Sequence, residues 1–183
     1  MSEIKIQDGT GSARTAEVDD RNRVAVRATT TSENHEVNID DEEAYLYYTG
    51  ITPGGVGNVF GYLKNTSEKD MVINWYRIWS GTSAEAIDIY TGSSGTPTGT
   101  TVSAPSNMNI TSKNEAKGLF YEGTNIGGLT GGVIFDRLRL AGDGKDVLDT
   151  YPGDIIIKKG GVIHLQAVNG SIAIEVTLSF YYK

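Results

Sequence analysis

From Ile172 onward every second residue is apolar (Ile172, Ile174, Val176, Leu178, Phe180, Tyr182), with Glu175, Thr177 and Ser179 between them. That is the period of a strand with one buried face. Ile163, Leu165 and Ala167 form the inward set of the strand before it, and Asn169-Gly170 suits a tight hairpin turn with positive φ. Lys158 to Gly161 makes a further turn that folds back residues 155–157, so residues 153–183 read as a β-meander. Burying the six alternating residues of the last strand contributes about 1.5–3 kcal/mol each before conformational entropy is charged, so truncation here is expected to prevent folding.

Upstream, short strands recur at regular intervals. Ala44–Thr49, Asn58–Asn65, Met71–Ser80, Ala86–Thr91, Asn107–Thr111 and Val133–Leu140 all carry strand patterns, the last with Ile134, Leu138 and Leu140 on one side. Met71–Ser80 is apolar on both faces: Met71, Ile73, Trp75 and Trp79 on one, Val72, Tyr76 and Ile78 on the other. A second apolar face calls for a cover, from an N-terminal arm or another subunit. Ser112–Gly123 predicts a short helix, with Ser112 as cap, Glu115 three residues on and Gly123 as stop. Residues 92–105, 125–132 and 141–153 read as loops or turns. Residues 1–43 are polar and hold no aromatic side chain. They read either as a disordered tail or as an extended arm ordered against a neighbouring subunit, whose alternating patch, Arg23, Val24, Val26 and Arg27 included, adds a strand to a partner. The pattern therefore predicts an all-β sandwich of eight to nine antiparallel strands at 44–183 behind an N-terminal arm at 1–43.

Composition narrows the chemistry. The chain of 183 residues suits one domain beside the arm. Cysteine is absent, which removes disulfides, thiolate nucleophiles and Cys-based zinc sites. A net charge of −7 argues against nucleic acid, whose phosphates demand clustered Lys and Arg. No apolar run approaches a membrane span, and the first residues lack a hydrophobic signal core, so synthesis in the cytoplasm is expected.

No motif for catalysis or for a cofactor emerges. His164 alternates with Ile163 and Leu165 and is expected on a polar, exposed face, far in sequence from His35. No Gly-x-Ser-x-Gly elbow supplies a nucleophile. Asp136, Asp143, Asp146, Asp149 and Glu175 are the only carboxylates that merit comparison with a glycosidase pair, and acids on loops and strand faces are ordinarily solvated. Asp143-Gly144-Lys145-Asp146 lacks EF-hand spacing and places a cation among the oxygens, and the acidic run 40–43 reads as a solvated loop. The glycines at 54–57 and 127–132 are followed by neither Gly-Lys-Ser/Thr nor a helix, so they are turns and not phosphate cradles. Trp75, Tyr76 and Trp79, with Tyr45, Tyr47 and Tyr48, are the candidate binding side chains, either as a subunit interface or as a surface that stacks on sugar rings.

The polar segment containing Ala16-Glu17-Val18-Asp19-Asp20-Arg21-Asn22-Arg23-Val24-Ala25-Val26, then Phe60-Gly61-Tyr62-Leu63-Lys64-Asn65 leading into Asp70-Met71-Val72-Ile73, then the closing strand Ile174–Tyr182, resembles small jelly-roll virion proteins of tailed bacteriophages. The resemblance implies a jelly roll of two four-stranded sheets. It also implies a non-enzymatic capsid decoration (cement) protein that sits as a homotrimer on the virion surface and contacts the major capsid protein or other virion proteins. The alternative is a carbohydrate- or receptor-binding module of a phage tail, neck or fibre; a hydrolase is the third reading.

Overall fold

The computed structural model describes residues 4–7, 13–16, 37–38, 41–142 and 146–183. The chain divides into two units, 1–32 and 33–183. In the first, β1 (Ile4–Gln7) and β2 (Ala13–Ala16) pair antiparallel, with Ile4 opposite Ala16 and Gln7 opposite Ala13. The patch Arg23, Val24, Val26 and Arg27 lies outside the described residues.

The second unit is all-β and antiparallel, but its described residues form thirteen strands where eight or nine were expected. Eight carry its frame: β3 (Ala44–Ile51), β4 (Val59–Asn65), β5 (Met71–Ser80), β6 (Glu85–Thr91), β12 (Val133–Leu140), β13 (Asp146–Ile157), β14 (Val162–Ala167) and β15 (Ile174–Tyr182). The surplus comes from residues 92–132, which hold β7 (Ser94–Thr98), β8 (Thr101–Val102), β9 (Ser106–Asn107), β10 (Gly118–Glu122) and β11 (Gly127–Thr130). One sheet has the order β12-β6-β14-β4-β10-β8, another β13-β5-β15-β3-β9, and β11 pairs with β7. The two large sheets enclose one core. Phe180 of β15 stacks on Tyr45 of β3 and on Phe120 of β10, with ring centroids 5.5 Å apart in both pairs, so one aromatic column ties sheet to sheet.

Three local expectations fail for physical reasons. The C-terminal strands are not a meander: β14 pairs with β4 and β6, whereas β15 pairs with β3 and β5 in the other sheet. The turn between them crosses from sheet to sheet, with positive φ at Gly170 and Ser171. Alternation tells a strand which side faces inward, and that side is the same whichever sheet it joins. The predicted helix at 112–123 is replaced by β10 and a run of side-chain-capped turns. Asn107 and Asn109 Oδ1 and Ser112 Oγ each accept a backbone N–H two residues on, at 2.8, 3.2 and 3.0 Å. Such local bonds compete with helix formation, and Phe120 gains more by pointing into the core.

The third correction concerns β5. Against β15 its register places Trp75 opposite Ser179 and Ile73 opposite Phe180, so Asn74 is an extra residue and forms a β-bulge. The bulge changes the parity of the strand. Met71, Ile73, Tyr76 and Ile78 thereby all join the core, and Val72, Trp75, Arg77 and Trp79 fall on the outer side. What read as two apolar faces is mostly one face with a register shift. A like shift between Ile134 and Asp136 of β12 leaves Ile134 47% exposed while Leu140 is buried.

The first expected boundary of the folded region, Ala44, falls inside the second unit. Val37 packs with Met108 against Ala44, Val72 and Tyr181, and Asp41 N donates to Val37 O at 3.0 Å. Glu43, read as part of a solvated acidic run, accepts from Lys69 Nζ at 2.6 Å.

Candidate binding face of the five-stranded sheet

The outer side of β5, β15 and β3 is a grid of opposed residues. Trp79 faces Glu175, Arg77 faces Thr177 and Trp75 faces Ser179; these in turn face Gly50, Tyr48 and Leu46. The lower half of the grid is roofed. Ser179 is buried and its hydroxyl donates to Met108 Sδ at 3.8 Å, and Val37 and Met108 cover Val72, Ala44 and Tyr181.

The upper half is different. Arg77 and Glu175 are exposed, Trp75 and Trp79 are half-buried, and Tyr48 is 50% exposed. Tyr48 lies along its own strand over Gly50: a Cβ on residue 50 would come within 2.3 Å of the phenol oxygen, so only glycine lets the ring rest there. The Tyr48 carbonyl accepts from Ser103 Oγ at 2.7 Å, fixing the strand beneath the ring. Arg77, Trp79, Glu175 and Thr177 line a cleft of about 100 Å³.

Of the aromatic residues singled out in the sequence, the structure thus brings Tyr48, Trp75 and Trp79 to one surface. Tyr45, Tyr47 and Tyr76 are in the core. Alternation separates Tyr76 from Trp75 and Trp79; the bulge at Asn74 decides which side each takes, since without it Trp75 and Trp79 would share the parity of Ile73 and face the core.

A second cluster was not foreseen. Tyr90, His164, Tyr62 and Tyr121 stand opposite one another across four strands on the outer side of the six-stranded sheet. Residues 92–132 cover this row, with Ile126 and Leu129 packed on Tyr62 and Val162. His164, expected on the surface, is 4% exposed and stacks on Tyr90 with centroids 4.6 Å apart. Its Nδ1 is 2.9 Å from Ser93 Oγ, and burial pushes its pKa down to about 4. Ser93 and His164 are half of a nucleophile and base arrangement, but both are buried and Ser93 Oγ is also within 3.4 Å of Gly131 O. The pair fastens the insert to the sheet and offers no open nucleophile.

The remaining sequence candidates do not assemble. Asp136 Oδ1 accepts the Arg137 N–H at 2.7 Å, while the Arg137 guanidinium holds buried Asp88 through two bonds at 2.5 and 2.7 Å. Asp146 and Asp149 take register positions opposite Trp79 and Tyr76. Asp143, Lys145 and His35 lie outside the described residues. Two larger grooves are lined by described residues. One, about 330 Å³, is lined by Thr91, Phe135, Ile155, Ile156 and Val162; the other, about 360 Å³, by Val102, Pro105, Glu115, Leu119 and Phe120.

Comparison with known proteins returns no counterpart: no family model, no curated protein and no solved structure matches the chain.

Proposed function

We propose that the chain is a jelly-roll virion structural protein of a tailed bacteriophage, acting as a capsid decoration protein and assembling as a homotrimer on the shell. The observation that carries this reading is the strand order. Leaving aside the insert 92–132, the sheets are β13-β5-β15-β3 and β12-β6-β14-β4, and consecutive strands change sheet at every connection except β6 to β12. This alternation supports reading the fold as an eight-stranded double-sheet roll. Support for assembly comes from the sheet edges. β12 and β13 are both edge strands, and they carry Val133, Ile134, Phe135, Val147 and Ile156, each at least 40% exposed. Long apolar edges of this kind pair or pack with another chain.

The test has two parts. The solution mass should be three times the 19.7 kDa of the chain. Full-length protein should bind undecorated phage heads, and a version lacking residues up to Asp40 should bind them weakly. A monomeric mass at assay concentration overturns the trimer; full-strength binding by the truncated chain overturns the role of the arm.

A further inference from the structure

The upper half of the five-stranded sheet's outer face has no part in the assembly reading, and its chemistry is distinct from that of the apolar edges. A guanidinium, an indole, a carboxylate and a hydroxyl converge on one cleft, from Arg77, Trp79, Glu175 and Thr177. Arg77 and Glu175 sit on neighbouring strands one register step apart, Arg77 opposite Thr177 and Glu175 opposite Trp79. The residues lining the cleft carry one cation and one carboxylate, so between them they sum to no net charge. The cleft suits a neutral ligand rich in groups that both donate and accept: Arg77 only donates, Glu175 only accepts, and Thr177 does both. The aromatic flanks add a second requirement. Trp79 borders the cleft, and Tyr48, whose phenol end lies over Gly50 two strands away, extends the surface. Across three strands the face is roughly 10 Å wide. Hydroxyls in the ring plane and CH groups above and below it are the features of a pyranose.

We propose that this face is a binding site for neutral saccharides, with Trp79 and Tyr48 packing on sugar CH faces and Arg77, Glu175 and Thr177 bonding the hydroxyls. The site is independent of shell assembly, and either property can fail without the other.

The full-length protein is titrated with chitohexaose, cellohexaose and maltohexaose, and with hexagalacturonate as an acidic counterpart, following tryptophan fluorescence. The expected result is saturable binding of at least one neutral oligomer, weakened about tenfold or more by Arg77→Ala and by Trp79→Ala. Arg77 is exposed and its replacement leaves the fold intact, so it guards against a trivial loss through unfolding in the Trp79 variant. Ile110→Ser, at a position 93% exposed and outside both proposed surfaces, should bind as the parent does. Absence of binding to all three neutral oligomers at about 10 mM, affinity unchanged in Arg77→Ala, or preference for the acidic oligomer overturns the proposal.

Discussion

Glu85 shows how much one side chain can fix. It is 2% exposed, and its carboxylate accepts the backbone N–H groups of Ala86 and Asn169 at 2.8 Å and of Gly170 at 2.9 Å. The turn that carries the chain from β14 to β15 is thereby fastened to the start of β6. Glu85→Ala leaves three donors without their acceptor and should lower unfolding free energy by about 3 kcal/mol or more, measured by urea denaturation; Glu85→Gln, which keeps one carbonyl, should lose less. The sequence held a trace of this role, because Glu85 shares the parity of inward-facing Ile87 and Ile89. His164 gave no such sign. Its cover is a Gly-, Ser- and Thr-rich insert with few apolar residues, and pattern alone assigns such a segment to solvent. Since burial lowers the folded-state pKa to about 4 from an ordinary value of 6.5, the unfolded chain binds the extra proton between those pH values. The contribution is whole above about pH 6.5 and is lost as pH falls toward 4, at up to about 1.4 kcal/mol per pH unit. The difference in stability between the protein and His164→Gln, measured across that window, should change with this sign; a flat difference would exclude the assignment.

Among the elements, β5 depends on one residue being surplus. Deleting Asn74 would restore an unbroken period of two, so that Met71 and Ile73 could face the core only if Tyr76 and Ile78 left it. The deletion should yield insoluble protein. Asn74→Ala keeps the count, and because Asn74 Oδ1 is buried with no hydrogen-bond partner among the described residues, its cost should be within about 1 kcal/mol by thermal or chemical unfolding. This contrast explains which parts of the fold were legible. The existence of β3, β4, β14 and β15 and the inward faces of β14 and β15 follow from alternation, whereas in β4 a register shift between Val59 and Gly61 puts Phe60 and Leu63 together in the core and Tyr62 on the outer side. Bulges at Asn74 and near Phe135 break the period without altering composition, and strand partners are chosen by turns and long-range packing that no local window contains. The aromatic surface was readable as a set of residues; its division into outer Trp75 and Trp79 and inner Tyr76 was given by parity, but the core membership of Tyr76 required the bulge.

For the molecule as a whole, the proposed assembly can be tested at the sheet edges, away from the core. Val133→Lys and Ile156→Lys place charges at positions 66% and 56% exposed. Each should reduce the solution mass toward that of the monomer, by sedimentation or light scattering, with a melting temperature that no longer depends on concentration. The interior position of β15 has a consequence for how the protein is made. β5 and β3 are not neighbours; β15 lies between them, and Asp70 and Lys183 exchange backbone bonds at 3.0 Å beside it. Until residues 174–182 have left the ribosome, both strands wait with an unsatisfied side, so the sheet closes after synthesis of this region and not during it. Chains released at Asn169 should therefore accumulate as aggregates or chaperone-bound material, and the interval between translation and closure is when the nascent protein is most exposed to proteases.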